Sequence, residues 1–322
     1  MEAFLLGAAL VAYNNILNRS SWFNGAPFVP VNLVAAATLV ALALGPLGLD
    51  ADALGFDLSL TGLAFGALIG CSLAIPLFVL ASSPRTARFI ADERSAGLAG
   101  RRLVYQTIVR VPLGTALLEE VAFRGVLFAL VASAGTLPAA LFSSVAFGLW
   151  HITPSLNMLD ANRPGAPHRS KVIFAADTVI FTALAGLGFV ALRIETGDLG
   201  APLVLHATLN SLATVAASRA ARRRSLELGI DVDHTGKGAQ SGNEVLRSNS
   251  GGELDHGREG PPFGFVLGDL ERLKSTAQIL DNTSDVTQSK LAVDDDPVPH
   301  RPSAHPQQNN TLKELQSREH YD

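Results

Sequence analysis

Three stretches of this chain hold polar side chains in otherwise apolar surroundings. The first runs Val111-Pro-Leu-Gly-Thr-Ala-Leu-Leu-Glu119-Glu120-Val-Ala-Phe123-Arg124-Gly, the second ends Phe147-Gly-Leu-Trp150-His151, and the third carries His206 and Asn210. Residues four apart lie on one face of a helix, so His206 and Asn210 belong together. Two imidazoles, an amide and a carboxylate are a recognisable chemical set. A carboxylate hydrogen-bonded to a neutral imidazole can take a proton from water, and burial raises a carboxyl group toward the useful range. The second imidazole and the amide can donate hydrogen bonds to a developing tetrahedral oxyanion. Hydrolysis of a peptide bond needs these parts and no serine or cysteine nucleophile. Cys71 is the only cysteine, so no disulfide forms within the chain, and no neighbouring motif activates it.

The elements that must position these residues are membrane helices. Residues 1–218 contain 12 Lys/Arg and 12 Asp/Glu, whereas residues 219–322 contain 13 and 17 and hold the whole net charge of -4. A soluble domain has about 25% charged residues, so the first part is depleted by roughly half and one soluble globule is excluded. Its charges balance, which leaves no composition argument for nucleic acid as a partner. A helix of about 20 residues crosses a hydrocarbon core of roughly 30 Å. Seven apolar runs approach that length, near 2–17, 27–48, 59–81, 111–131, 136–153, 172–193 and 199–218. The first is weakest, being short and interrupted by Asn14 and Asn15. Glu2 at its start and the lack of a basic leading region argue against a cleaved signal peptide. The expected fold is therefore all-α, a polytopic transmembrane bundle of about seven helices over residues 1–218. Residues 219–322 form a polar tail, rich in Asp, Ser, Gly, Asn, Gln and Pro, which is expected to be disordered and cytoplasmic.

Loop charges set the expected orientation, because cytoplasmic loops gather Lys and Arg. Arg85, Arg88, Arg94, Arg101, Arg102 and Arg110 lie between the third and fourth runs. Arg163, Arg169 and Lys171 follow the fifth, and Arg219, Arg222, Arg223 and Arg224 follow the seventh. Asp50, Asp52, Asp57, Glu195 and Asp198 occupy the alternate loops. This pattern predicts a multi-pass integral membrane protein, in the plasma membrane if bacterial, with the N-terminus outside and the C-terminus in the cytoplasm.

Ionisable groups inside a bilayer cost several kcal/mol and mark function by default. Glu120 and Arg124 have the favourable i to i+4 order for a helical ion pair and can neutralise each other. Glu119 points about 100° away at 3.6 residues per turn, so it needs a partner on another helix. Each signal has a plainer account when taken alone. Glu120 and Arg124 in a soluble helix would be a solvated pair. Trp150 and His151 could be interfacial anchors. His206 and Asn210 could be interhelical hydrogen-bonding glue. Asp177 is read as structural, facing the interfacial region.

At these positions the sequence resembles the CAAX-protease and bacteriocin-processing family of intramembrane endopeptidases, also called CPBP or Abi. Its three motifs occur in order: Glu-Glu-x-x-x-Arg as Glu119, Glu120 and Arg124; Phe-x-x-x-His as Phe147 and His151; His-x-x-x-Asn as His206 and Asn210. The resemblance covers roughly residues 100–215. It implies that Glu119 and His151 activate the attacking water, that His206 and Asn210 form the oxyanion site, and that Glu120 and Arg124 hold the helix in place. It also implies a membrane-associated protein or peptide as substrate and membrane lipid as surroundings, with nothing that signals a prenyl-binding site.

Family members are often described as metalloproteases, and Glu119, His151 and His206 would make a sensible Zn2+ set. No His-Glu-x-x-His pair places two ligands and a base on one helix, and Asn210 suits an oxyanion better than zinc. A glutamate-dependent site without a metal cofactor is favoured, with the zinc-dependent protease as the alternative. A non-catalytic membrane scaffold that binds a partner through the same cluster remains open. A transporter would be helped by paired, internally similar halves, which the sequence does not display.

Overall fold

The computed structural model describes residues 1–227, and among them it contains helices and connections but no strand. Eight helices matter for the site. They are α1 (Glu2–Leu17), α2 (Phe28–Leu44), α3 (Leu60–Ser82), α4 (100–132), α5 (Thr136–Trp150), α6 (Ile152–Asn162), α7 (His168–Thr196) and α8 (Gly200–Glu227). With α5 and α6 taken as one broken rod, they correspond to the seven apolar runs. Four rods are long and apolar enough to cross a membrane: α3, α5 with α6, α7 and α8. α1 and α2 are shorter apolar helices of 16 and 17 residues, about 24–26 Å at 1.5 Å per residue. The chain is an integral membrane protein. Its outward faces fit that solvent, with Leu68, Ile75 and Val79 of α3 and Ile180, Phe181 and Leu184 of α7 all exposed. The last helix continues through Arg219–Arg224 to Glu227; the rest of the predicted tail lies outside the described residues.

α3 and α8 lie side by side along a seam of small residues. Gly62, Gly66, Gly70 and Ala74 recur every fourth residue on one buried stripe of α3. Without a hydrophobic force between helices in lipid, such stripes let backbones approach for dispersion contact. The approach here is close. A Cβ on Gly66 would collide with the Ala201 carbonyl, and one on Gly70 would come within 2.9 Å of Thr208 Cβ. The N-terminal ends of the pair are tied together, so the helices run parallel. Ser59, the N-cap of α3, donates from Oγ to Asp198 Oδ2 at 2.6 Å, while Ala201 N donates to Asp198 Oδ1 at 2.9 Å. Asp198 is 1% exposed, and through these bonds it serves as a shared cap for two helix starts.

α4 departs from the regular helix assumed in placing Glu119. Residues Gln106–Ala116 and Glu120–Leu127 are π-helical, with hydrogen bonds reaching five residues rather than four. Pro112 has no N–H, so in a five-residue pattern the carbonyl of Thr107 loses its partner. Ser211 Oγ of α8 donates to that oxygen at 2.7 Å. Similarly, Asn32 Nδ2 of α2 donates to Gly114 O at 2.6 Å, and Tyr13 OH of α1 donates to Asn32 Oδ1 at 2.8 Å. Buried backbone groups are almost always satisfied, and neighbouring helices do that work around α4.

A short turn through Gly135, at φ 112°, reverses the chain between α4 and α5. Glu119 lies thirteen residues before the end of α4 and Trp150 fourteen residues into α5. An antiparallel hairpin therefore brings Glu119 level with the end of α5. The buried core around that level includes Leu118, Phe123, Val126, Leu127, Phe147, Trp150, Phe189 and Leu205.

Candidate active site

Glu119 occupies the centre of the polar cluster. Its Oε1 accepts a hydrogen bond from Trp150 Nε1 at 3.0 Å. Its Oε2 faces two imidazoles at nearly equal distance: His151 Nε2 at 3.8 Å and His206 Nε2 at 3.7 Å. Both separations exceed a direct hydrogen bond, for which about 2.7–3.2 Å is normal. Polar atoms held apart at that distance suit a bridging water. Glu119 thus has the partners on neighbouring helices that its helical position demands, one ring from the end of α5 and one from α8.

His151 sits at the break between α5 and α6, with φ −90° and ψ 4°. Its Nδ1 lies 2.7 Å from the Phe147 carbonyl oxygen. A carbonyl only accepts, so Nδ1 carries a proton, and in the neutral form of the ring the Nε2 lone pair is the one turned toward Glu119. The His151 side chain is 21% exposed, against 7% for Glu119 and 5% for His206, so it is the most accessible of the three.

His206 is fixed from its other nitrogen. Nδ1 lies 2.7 Å from Glu120 Oε1, the same oxygen that takes a hydrogen bond from Arg124 Nη1 at 3.3 Å. Glu120 and Arg124 are both fully buried. The expected ion pair is present, and its carboxylate also orients an imidazole on another helix. The Arg124 guanidinium lies over the Phe147 ring at 3.9 Å and the Phe189 ring at 4.8 Å, a cation–π arrangement that helps compensate a buried cation. Phe189 of α7 also stacks on His206, with centroids 5.0 Å apart and planes 15° from parallel.

The structure therefore brings together Glu119, Glu120, Arg124, Phe147, His151 and His206. Asn210 is on α8 one turn beyond His206 and is half-buried, its backbone carbonyl accepting from Thr214 Oγ1 at 2.8 Å. No hydrogen bond joins its carboxamide to the cluster among the described residues. Neither Trp150 nor Phe189 is a site residue by sequence reasoning. Trp150 reads as an interfacial anchor, yet it is 2% exposed and its indole N–H is committed to Glu119. Its neighbour His151 was the only hint. Phe189 is one apolar residue among many in its helix, and nothing in the sequence separates it from them. Asp177 is half-buried, and its Oδ2 has no hydrogen-bond partner among the described residues.

Among the described residues no three His, Cys, Asp or Glu side chains are grouped so as to hold a metal ion. Glu119 Oε1 is also engaged by the Trp150 indole, leaving Oε2 alone to face the two rings. Glu119 Oε2, His151 Nε2 and His206 Nε2 are the atoms a zinc ion would have to draw in, to about 2.0–2.2 Å each.

Residues 102–212 match the family described as Rce1-like, type II CAAX prenyl endopeptidase Rce1-like. That range contains every residue of the cluster, from Glu119 on α4 to His206 on α8, and Asn210 as well. No curated protein and no solved structure matches the chain.

Proposed function

We propose that this chain is an intramembrane endopeptidase that hydrolyses a peptide bond in a membrane-associated protein or peptide. The observation that carries the reading is Glu119 Oε2 poised 3.8 Å and 3.7 Å from two imidazole Nε2 atoms. A water held between Glu119 Oε2 and His151 Nε2 is within reach of two proton acceptors. Its oxygen attacks the scissile carbonyl carbon as its proton passes to this pair. The tetrahedral oxyanion then accepts hydrogen bonds from Asn210 and from His206 Nε2, which must itself carry a proton to donate. Nδ1 of His206 faces Glu120 Oε1 at 2.7 Å, and that carboxylate orients the ring. Collapse of the intermediate breaks the C–N bond, and the proton taken from water goes to the leaving amine. Donors preorganised away from bulk water are each worth a few kcal/mol in such a step. Access from the cytoplasmic side, with the C-terminus in that compartment, belongs to the same proposal and rests on the Arg-rich loops.

Glu119→Gln keeps the shape and an acceptor for the Trp150 indole but removes the base. Cleavage of a membrane-associated peptide by the purified variant should fall about 10²–10⁴-fold with its thermal unfolding unchanged. Persistent cleavage overturns the mechanism. Loss of activity on chelation with rescue by Zn2+ would establish the metal-dependent version instead. Retained partner binding with no cleavage by either protein would establish the scaffold.

A further inference from the structure

We infer that Asn15 of α1, assisted by Asn14, is a positioning residue that holds the helix break on which His151 depends. In the sequence these two asparagines look like flaws in a weak membrane segment. In the structure they face the junction of α5 and α6. Asn14 Nδ2 donates to Trp150 O at 2.8 Å, and Asn15 Nδ2 donates to Leu149 O at 2.9 Å. Asn15 Oδ1 accepts from Thr153 N at 2.7 Å, and the Asn15 carbonyl accepts from Thr153 Oγ1 at 3.0 Å. Two carbonyls before the break and one N–H after it are thus satisfied by adjacent residues of one other helix.

The consequence reaches the imidazole by a short chain of bonds. At the break, His151 N donates to Gly148 O at 3.0 Å, three residues back rather than four. That shift removes the backbone donor that a regular helix would aim at Phe147 O. The vacated oxygen takes Nδ1–H of the His151 side chain at 2.7 Å. Fixing the proton on Nδ1 is what leaves the Nε2 lone pair toward Glu119. Pro154 has no N–H to give Trp150 O and bars a regular helix here, so the geometry of the break, and with it the bond from His151 to Phe147 O, is set by the groups that take up the freed backbone. A broken helix in lipid is costly unless other groups satisfy the freed backbone, and Asn14 and Asn15 are the groups that do so here. Asn15 touches neither the proposed water nor Glu119; it acts through His151.

The inference rests on the hydrolytic reading for its effect on rate, but its structural half can be measured without catalysis. In protein with ¹⁵N-labelled histidine, at about pH 8 and so above the ordinary histidine range near 6.5, His151 should give the pattern of an imidazole protonated on Nδ1. The resonance is assigned by its disappearance in His151→Gln. Asn15→Leu, with the same branched side-chain skeleton and unable to make any of these side-chain bonds, should lose that tautomer preference. It should also lower kcat about tenfold or more, as small misplacements of a reacting group do, with KM little changed. Should Asn15→Leu fail to fold, Thr153→Val removes the hydroxyl bond to Asn15 O and is read by the same two measurements, with a smaller shift expected. An unaltered His151 tautomer in a folded variant, whatever its thermal stability, overturns the inference. A tautomer that follows Asn15 while Glu119→Gln still cleaves would sink the hydrolytic reading and leave the positioning role standing.

Discussion

The hairpin of α4 and α5 and the parallel pair of α3 and α8 are held together by opposite means. Around the hairpin the helices are irregular, with π-helical stretches in α4 and a break after Trp150, and bonds from side chains to main chain repair the gaps. Asn14, Asn15, Asn32 and Ser211 each cross to another helix to do so. The parallel pair is regular, and its contact is backbone against backbone through glycine. Directional bonds give the site its geometry, since a hydrogen bond specifies angle as well as distance. Close packing gives the scaffold that carries His206 and Asn210 its fixed separation from α3. The lesson is that substitutions should separate the two regions by what they disturb: one by loss of activity, the other by loss of fold.

The largest effect is expected from Gly66→Leu. Its new Cβ would meet the Ala201 carbonyl, and backbone cannot move aside as a flexible side chain can. Overpacking of ordinary cores costs about 1–3 kcal/mol, so this backbone collision should cost at least ~3 kcal/mol and prevent recovery of a folded protein in detergent. Gly188→Ala is the control, because its Cβ would meet nothing within 4 Å. Thermal unfolding followed by size-exclusion or fluorescence distinguishes the two. A stable, monodisperse Gly66→Leu protein would show that the glycine seam is not what joins α3 to α8.

A smaller and different effect is expected at Trp150. Trp150→Phe keeps an aromatic ring against Phe123 and Tyr13 but removes the N–H given to Glu119 Oε1. A hydrogen bond to a charged group contributes about 1.5–3 kcal/mol. Hydrolysis should therefore fall about 10- to 100-fold while the unfolding temperature changes little. If stability fell and the rate per folded molecule did not, Trp150 would belong with the packing region, and the contrast between hairpin and seam would lose its clearest member.

These two substitutions also mark what could be read from the sequence. Seven apolar runs, their approximate limits and the spacing of Glu119, Glu120, Arg124, His151 and His206 were all visible, because lipid makes each ionisable residue conspicuous against its neighbours. The π-helical turns of α4 were not, since a shift from four- to five-residue bonding depends on partners such as Ser211 that no local pattern announces. Asn14 and Asn15 were visible as interruptions of a short first helix, and α1 is indeed outside the four rods long enough to span; their partners appear only when α5 arrives with unpaired carbonyls. The small-residue stripe Gly62, Gly66 and Gly70 sat in plain view at its four-residue spacing, but with no statement of which helix it would face. Phe189 had no signature at all, because an aromatic ring in an apolar helix gives no hint that it will stack on an imidazole.

Away from the membrane interior the same kinds of contact should matter least, and Asp92 measures by how much. It lies in the connection between α3 and α4, where it accepts from Arg94 N at 3.0 Å and from Asn162 Nδ2 at 3.1 Å and pairs with Arg94 Nη2 at 2.7 Å. Burial alone would raise its carboxyl pKa, but the Arg94 hydrogen bonds and charge, with the Arg94 N–H and the Asn162 amide, outweigh that and hold it below the usual carboxylate value. A depressed folded-state pKa adds stability that is fully present above the unfolded value of about 3.9 and is lost as pH falls through the folded value. Asp92→Asn keeps an acceptor and removes the charge. Its unfolding temperature should therefore lie slightly below that of the unmodified chain at neutral pH, by an amount reflecting no more than ~1 kcal/mol for a partly exposed pair. The gap should close on acidification through the native carboxyl's titration. A gap that widened in acid would show that the carboxylate strains this connection, and a gap as large as that at Gly66 would show that this connection is as decisive for the fold as the glycine seam.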